Sequence, residues 1–142
     1  MQIRIGTLEE CVEVANAIPE FVEKETVENL RNRLNGKTHL ILVAVKEEQL
    51  LGFKIGYELT EKTFYSWFGG VTPAGRKSGI AQLLMDEQED WVAKNGYQQV
   101  KVKSRNAFPA MLRLLLRNGY LVDMYEKYPN NLDSRIHFLK DL

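Results

Sequence analysis

The sequence is poor in cysteine and has no excess of either charge, and both features exclude classes of protein. A single cysteine, Cys11, rules out an intramolecular disulfide and a zinc site built from several cysteines. Lys and Arg number 19, and so do Asp and Glu, so the formal net charge is zero. A protein that binds nucleic acid over a broad surface is usually strongly basic. We therefore expect no nucleic-acid partner, and we expect Cys11 to be a small core residue.

Long apolar stretches are also missing. No run approaches the roughly 20 residues that a membrane-spanning helix requires, and the first residues lack the basic and apolar regions of a signal peptide. We therefore expect no membrane partner and a cytoplasmic location. Hydrophobic residues make up 44% of the chain and no repeat or linker divides it, so residues 1–142 are expected to form one domain with a sizeable core.

The most informative stretch covers residues 71–81 and reads Val-Thr-Pro-Ala-Gly-Arg-Lys-Ser-Gly-Ile-Ala. Residues 64–68 before it are rich in aromatic side chains and predict a strand. Apolar residues after it recur at helical spacing as far as a helix stop at Asn95-Gly96. The chain thus passes from strand to turn to helix, and small and basic residues occupy the start of the helix.

Such a turn favours a bound anion. The first amides of a helix have no partner within the helix, and the helix dipole adds a partial positive charge. Gly79 and Ala81 leave room for close approach to the main chain, and Arg76 and Lys77 add positive charge. The stretch therefore predicts a site for a pyrophosphate group.

Two common phosphate-binding patterns do not fit this turn. The P-loop requires Lys followed by Ser or Thr where Ile80 and Ala81 stand, and its glycines are further apart than Gly75 and Gly79. The dinucleotide pattern G-x-G-x-x-G fails because Gly70 and Gly75 are out of register.

A third pattern does fit. Arg76-x-x-Gly79-x-Ala81 matches [QR]-x-x-G-x-[GA], the acyl-coenzyme A signature of the GNAT family of N-acetyltransferases. Other features occur in the same order as in the family. Val71-x-Pro73 precedes the signature, and a helix, a strand, Asn106 and Asn118-Gly119-Tyr120 follow it. Over roughly half of its length the chain therefore resembles this family.

The remaining segments predict the element order βααβββαβαββ. Strands are predicted near residues 3–5, 39–45, 50–59, 63–70, 99–104, 120–125 and 136–138. Helices are predicted after the caps Thr7 and Thr26, after Gly79, and after Asn106 as N-cap with Pro109 in the first turn. The fold class is α/β (α+β), with one mixed, largely antiparallel sheet flanked by helices. It matches the acyl-CoA N-acyltransferase fold that the resemblance implies.

The resemblance also implies a cosubstrate, acetyl-CoA. The residues of the matching turn would bind it: Val71, Arg76, Lys77, Ser78, Gly79, Ile80 and Ala81. Asn106 would hydrogen-bond the pantetheine arm, as an asparagine at this point commonly does in the family. The family's strand before the turn carries a bulge and separates from the next strand, and a main-chain amide there polarises the acyl carbonyl. By position, this amide belongs to Gly69.

Direct acetyl transfer needs little from the protein, because positioning alone can lower the barrier by about 7–11 kcal/mol. A base is useful since a lysine-like ammonium is almost fully protonated at neutral pH. Glu58, at the end of the third strand, is our first candidate for a base acting through water, and the alternative is a solvated turn carboxylate. Family members often have a base carboxylate where Tyr65 aligns and a proton-donating tyrosine where Leu115 stands. Tyr65, Tyr120, another tyrosine or water would then protonate the leaving thiolate.

We therefore predict an acetyl-CoA-dependent N-acetyltransferase that transfers acetyl directly to a primary amine of a small molecule, a peptide or a protein. The resemblance also makes a homodimer a reasonable expectation. The alternative is a catalytically silent CoA-binding sensor or regulatory domain. Nucleic-acid binding through Lys101, Lys103 and Arg105 is disfavoured by the neutral charge. No metal is expected, because His39 and His137 show no metal-binding pattern.

Overall fold

The computed structural model describes all 142 residues and has the predicted order of elements. The strands are β1 (Gln2–Ile5), β2 (His39–Lys46), β3 (Gln49–Glu58), β4 (Thr63–Val71), β5 (Gln99–Arg105), β6 (Leu121–Glu126) and β7 (Arg135–Asp141). The helices are α1 (Leu8–Asn16), α2 (Val27–Leu34), α3 (Ile80–Lys94) and α4 (Pro109–Arg117). Short 3₁₀ turns lie at Pro73–Gly75 and Asn131–Asp133.

The seven strands form one sheet in the order β1-β2-β3-β4-β5-β7-β6. Strands β4 and β5 are parallel, and every other neighbouring pair is antiparallel. A parallel pair cannot be joined by a tight turn and needs a crossover, which α3 provides. The predicted fold class, a mixed and largely antiparallel sheet flanked by helices, is confirmed.

Helices cover the two faces of the sheet unequally. On one face, α3 and α4 pack on a core that draws side chains from β2 to β5 and from β7, such as Phe64 and Phe138. On the other face, α1 and α2 pack on β2, β3 and β4, where Phe53 and the predicted core residue Cys11 are fully buried. No residue of β5, β6 or β7 belongs to this second core. One face of those three strands is therefore left without a helix.

The first two helices begin at the predicted caps. Thr7 Oγ1 accepts a hydrogen bond from the Glu10 amide at 3.2 Å, and Glu10 Oε1 accepts one from the Thr7 amide at 3.0 Å. Thr26 Oγ1 accepts one from the Asn29 amide at 3.1 Å. Both predictions are confirmed, because a cap depends only on residues within one turn of the chain.

The prediction that Asn106 caps α4 is wrong, whereas the prediction that Pro109 lies in the first turn is confirmed. The N-cap is Phe108, which makes no side-chain cap, and Pro109 is the first helical residue. Proline favours this position because its fixed φ suits the helix and its missing N–H is not needed there. Asn106 lies two residues too early to cap, and its Nδ2 instead donates to the Asn131 carbonyl at 2.9 Å. It holds the segment before β7 against the end of β5.

Candidate functional site

Strands β4 and β5 separate halfway along their length. Their register runs only from Thr63 opposite Gln99 to Ser66 opposite Val102. Beyond this point β4 stays paired with β3 up to Val71, while β5 continues with β7. The edge of β4 from residue 67 to residue 71 is therefore not hydrogen-bonded to a strand on the β5 side. We call the space between this edge and residues 103–105 of β5 the β4–β5 gap, and it opens towards the start of α3.

A bulge lies where the gap begins. Ile55 of β3 pairs with Phe68 and Gly56 pairs with Ser66, so Trp67 has no partner in β3. A bulge bends its strand and turns the adjacent amides and side chains. The gap thus starts at a point where the main chain of β4 is already displaced from regular pairing.

The two glycines after the bulge are required by close approach. A Cβ on Gly69 would lie 2.9 Å from the Phe53 carbonyl oxygen, and one on Gly70 would lie 2.6 Å from Ile18 Cδ1. A side chain at Gly69 would therefore push β4 away from β3, and one at Gly70 would disturb the core under α1. This is the physical reason for the Gly-Gly pair noted in the sequence.

The turn between β4 and α3 is held from within. Thr72 Oγ1 accepts from the Gly75 amide at 3.3 Å and donates to the Leu51 carbonyl at 3.3 Å. Ser78 Oγ donates to the Gly75 carbonyl. Gly79 is the N-cap of α3 in the left-handed conformation, with φ of 78°, and no side chain caps the helix. The first part of the turn is therefore held by its own hydrogen bonds, but no side chain occupies the amides at the start of α3.

These open amides form a continuous set. No main-chain N–H from Lys77 to Gln82 donates a hydrogen bond within the chain, and the first helical bond runs from the Leu83 amide to the Gly79 carbonyl at 3.0 Å. The left-handed conformation of Lys77, with φ of 61°, and of Gly79 is typical of a concave anion-binding turn. Together with the positive end of the helix dipole, the set favours a bound anion.

The side chains of the turn have separate roles. Arg76 forms an ion pair with Glu20 at 2.7 Å, and this bond lowers the pKa of that carboxyl. Arg76 thereby ties the turn to the segment after α1. Ile80 is buried, and its Cγ2 lies 2.8 Å from the position that a Cβ on Gly52 would take. Val71 and Ala81 are half-buried at the two ends of the turn.

The opposite wall of the gap is set by α4 and the end of β5. Gln82 Nε2 donates to Asn118 Oδ1 at 2.7 Å, and Asn118 Nδ2 donates to Gln82 Oε1 at 2.9 Å. This reciprocal pair fixes the end of α4 against the start of α3. Asn106 lies at the end of β5, where its Oδ1 has no partner. An acceptor is thus free on the far side of the gap from β4.

Lys54 of β3 was not identified from the sequence. It pairs with Gly69, and its Cγ lies 3.5 Å from the position that a Cβ on Gly69 would take. The side chain thus packs beside Gly69 on the face that α3 covers, where it is half-buried. It makes no hydrogen bond or ion pair, and the nearest carboxylate, Glu89, already binds Tyr120 Oη at 2.8 Å and Lys140 Nζ at 2.7 Å. Burial lowers the pKa of Lys54 to about 8, and Glu89 opposes this only in part.

We expect Lys54→Met to raise the free energy of unfolding at pH 7, because it removes a desolvated charge that has no partner. The pKa of Lys54 is about 8 in the folded chain against an ordinary 10.5. Between these values the unfolded chain holds the extra proton, so wild-type stability rises with pH across this window. The advantage of the variant should shrink from pH 8 and vanish near pH 10.5. Urea unfolding across this range measures it, and a variant less stable at pH 7 would show that Lys54 makes a stabilising contact.

Glu58 does not lie at the gap. It pairs with Phe64, three residues before Trp67, which corresponds to about 10 Å along the strand. Its Oε1 accepts from Tyr97 Oη at 2.8 Å. Burial and then this hydrogen bond raise the pKa of Tyr97 to about 12. The position of Glu58 therefore does not support its assignment as the base, and its role in the structure is to bind Tyr97, three residues after the end of α3.

The tyrosines suggested as proton donors differ in position. Tyr120 is buried, and its hydroxyl is committed to Glu89. Tyr65 lies beside Ser66, where the gap begins, and its hydroxyl has no hydrogen-bond partner. Burial raises the pKa of Tyr65, and the nearby Arg33 and Arg135 oppose the shift. Tyr65 therefore stays protonated at neutral pH and can donate a proton but cannot act as a base there. Leu115, at the position of the family's tyrosine, is buried in the core.

These features coincide with those of one family. A model of the Acetyltransferase (GNAT) family matches residues 8–120. This span is most of the chain, so the protein belongs to the GNAT acetyltransferase family. A comparison with curated proteins finds no match.

Solved structures with the same fold are distant in sequence. The ribosomal-protein-S18-alanine N-acetyltransferase from Escherichia coli is 13% identical with a TM-score of 0.83, and the match covers 99% of this chain and 92% of that chain. Ard1 from Thermoplasma volcanium is 14% identical with a TM-score of 0.82 and coverage of 99% and 97%. A GNAT family acetyltransferase from Elizabethkingia anophelis with acetyl-CoA bound is 14% identical, with a TM-score of 0.79 and the same coverage. Identities this low show the fold and assign no acceptor.

Two further observations concern partners. None of the helices combines the length and apolar character needed to cross a membrane. No group of three or more His, Cys, Asp and Glu side chains is placed to hold a metal ion.

Proposed function

We propose that the protein is an acetyl-CoA-dependent N-acetyltransferase that transfers the acetyl group directly to a primary amine. One observation carries this proposal. The β4–β5 gap leads from the open amides of residues 77–82 to the bulge at Trp67, so one extended ligand can lie along it. The family match supports the reaction type, and the acetyl-CoA bound by a relative of the same fold supports the cosubstrate.

The residues along the gap suit the parts of acetyl-CoA. The pyrophosphate group would bind the open amides of residues 77–81, with Lys77 adding an unpaired positive charge at the surface. The polar pantetheine arm would bond the unpaired main-chain edge of β4 up to Val71 on one side and Asn106 Oδ1 on the other. The acetyl group would then lie near the bulge, where we assign the amide of Gly69 to its carbonyl oxygen.

The reaction can be written with few groups. The neutral amine attacks the carbonyl carbon, a C–N bond forms, and the C–S bond breaks as the negative charge moves to the thiolate. An amide aimed at the carbonyl oxygen stabilises the charge that develops there. The attacking nitrogen releases a proton to water, and the thiolate takes one up.

We assign the thiolate's proton to Lys54. Its side chain packs beside Gly69, whose strand edge lines the gap, and Leu115 and Tyr120 cannot donate there. Its pKa of about 8 is close to that of an ordinary thiol, about 8.5, and a donor matched in this way is efficient. We assign Tyr65, which lies on the other face of the sheet, to contact with the acceptor.

The second candidate function is a catalytically silent CoA-binding sensor or regulatory domain. It is favoured by the absence of a carboxylate at the start of the gap and by Leu115 at the family's tyrosine position. The two functions share the donor site and differ only in turnover.

A homodimer also belongs to this proposal. Strand β6 lies at one edge of the sheet. Its exposed side chains include Leu121, Val122, Met124 and Tyr125. Apolar side chains on an unpaired edge strand favour pairing with another strand, and sedimentation velocity would measure the mass in solution. The single domain of residues 1–142 and the cytoplasmic location stay predictions from the sequence.

Calorimetric titration with acetyl-CoA, with dephospho-CoA and ATP as controls, tests the donor site. We expect saturable binding of acetyl-CoA and weaker binding of ATP, which lacks the pantetheine arm. If acetyl-CoA did not bind, both the N-acetyltransferase function and the silent CoA-binding function would be excluded. Release of CoA in the presence of a panel of amines then separates the enzyme from the silent domain.

A further inference from the structure

The open face of β5 and β7 carries an array of cations. Val100 and Val102 of β5 point into the core under α3, so the alternate residues Lys101, Lys103 and Arg105 point to the face that no helix covers. The register of β5 with β7 places Arg135 on this same face, opposite Arg105. In front of the adjoining strand β4, α2 adds Arg33 at its C-terminal end.

Aromatic rings, not carboxylates, hold several of these cations. The Arg33 guanidinium lies 4.9 Å from the centre of the Trp67 ring, and the Lys103 ammonium lies 5.8 Å from that of Tyr65. Arg135 lies 5.2 Å from that of Tyr128. None of these three cations forms an ion pair. A ring face attracts a cation and positions it but does not cancel its charge.

The carboxylates nearby are already engaged. Glu126 Oε1 lies 3.0 Å from His137 Nε2, and its other oxygen accepts from Tyr128 Oη at 3.3 Å. Asp133 lies 3.8 Å from Arg105. Glu126 also stands opposite Arg135 in the register of β6 with β7, but Arg33, Lys103 and Arg135 form no ion pair with it or with any other carboxylate, so a ligand can still bind them.

These cations surround the point where the gap begins. Tyr65 and Trp67 flank Ser66, the last residue of β4 that pairs with β5. Arg33 over Trp67 and Lys103 near Tyr65 lie on this face, and Arg33 and Arg135 both oppose the rise that burial causes in the pKa of Tyr65. An amine that reaches the acetyl group from the open face would therefore pass between them.

We propose that the acceptor carries a carboxylate next to its reactive amine, and that this carboxylate binds Arg33 and Arg135 in front of Tyr65. A planar guanidinium matches a carboxylate and can bond both of its oxygens. Free amino acids and acidic peptides both supply such a group. The proposal rests on the N-acetyltransferase function proposed above.

The same cations account for the missing base. A positive environment disfavours an ammonium, so it lowers the pKa of the bound amine and increases the neutral fraction that can attack. The carboxylate keeps the acceptor bound in this environment. The cations would also lower the amine pKa of an acceptor that lacks a carboxylate, but such an acceptor has no group that binds to them.

Matched acceptors and variants test the proposal. Acetyl transfer is measured for alanine against alaninamide, and for dipeptide amides that begin with Asp or Glu against the matching ones that begin with Asn or Gln. We expect kcat/KM to be at least about tenfold higher for the carboxylate of each pair, the effect of one hydrogen bond to a charged group. Arg33→Gln and Arg135→Gln should each reduce this ratio by about tenfold, mainly through KM. Arg31→Gln removes the same charge from α2, at an exposed residue near Glu9, and should leave the ratio unchanged.

Each outcome is decisive. A ratio near one in the wild type, or a ratio that survives both substitutions, overturns the proposal, as does an equal loss with Arg31→Gln. If a phosphorylated amine were preferred over both members of each pair, the proposed carboxylate would be wrong and the site would instead bind a different anion. The free and peptide acceptors separate the two sources of the carboxylate.

A binding measurement keeps the proposal testable without turnover. With CoA present, N-acetylalanine and N-acetylalaninamide are titrated, and tryptophan fluorescence reports on Trp67 beneath Arg33. Binding of the carboxylate product about tenfold tighter supports the site even if no amine is acetylated. Equal binding overturns it. Failure of acetyl-CoA to bind in calorimetry would instead mark failure of the underlying enzyme function.

Discussion

Gly79→Glu is expected to weaken acetyl-CoA binding by about 100-fold or more. The new carboxylate would stand at the N-terminus of α3, next to the open amides where we place the pyrophosphate. Two charges 4 Å apart repel by about 4 kcal/mol at an effective dielectric constant of 20, and solvent at this exposed turn reduces the effect. The left-handed φ of 78° adds strain for any side chain, although no atom lies within 4 Å of a Cβ there. Calorimetric titration measures the change in Kd.

Gly96→Glu is the matched control. Gly96 also has a positive φ, 88°, with nothing within 4 Å of a Cβ, but it follows the C-terminal end of α3. The strain and the added charge are the same, and the anion site is remote. Gly79→Ala separates strain from charge. If Gly79→Glu kept wild-type affinity, the turn would be only structural and the donor site would have to lie elsewhere.

Lys54→Met is expected to lower kcat by about 100-fold, the lower end of the range for general acid catalysis. The KM for acetyl-CoA should change little, because the proposed role of Lys54 is in protonating the leaving thiolate. Only the protonated ammonium can donate, so wild-type activity should fall as pH rises through about 8, and the variant should lose this descending limb. Steady-state kinetics from pH 6 to pH 10 measure both effects.

Two further variants define what Lys54 contributes. Lys54→Arg keeps the charge but does not titrate below about pH 12. It should retain activity if only the charge matters and lose it if the proton matters. Lys46→Met makes the same substitution at an exposed lysine at the end of β2 and should have no effect. A Lys54→Met enzyme with wild-type kcat would show that the thiolate leaves with water as its proton donor.

Local features of this protein were predictable from the sequence. The open amides of α3 follow from a helix that begins at a glycine with no capping side chain, and Arg76, Gly79 and Ala81 are visible as a pattern within six residues. The caps Thr7 and Thr26 likewise depend on one turn of chain. Hydrophobic and aromatic stretches were sufficient for the order of strands and helices, because each element carries its own periodicity.

Features that depend on pairing between distant segments were not predictable. The alternating pattern of β3 does not show that its Lys54 would meet a glycine of β4, or that Glu58 would bind Tyr97 after α3. Asn106 shows the same limit. Asparagine is a common N-cap residue, but α4 begins at Pro109, and the side chain of Asn106 instead donates a hydrogen bond to the Asn131 carbonyl.

The sequence by itself therefore determined the fold class, the element order and the turn with open amides before α3, because their causes lie within a few neighbouring residues. The tertiary structure alone decided the β4–β5 gap, the bulge at Trp67, the shifted pKa of Lys54 and the unpaired cations in front of Tyr65. Each of these depends on which strand lies beside which, and on how far water is excluded between them. Register and burial are set by the packing of the whole sheet, and no local pattern in the chain specifies them.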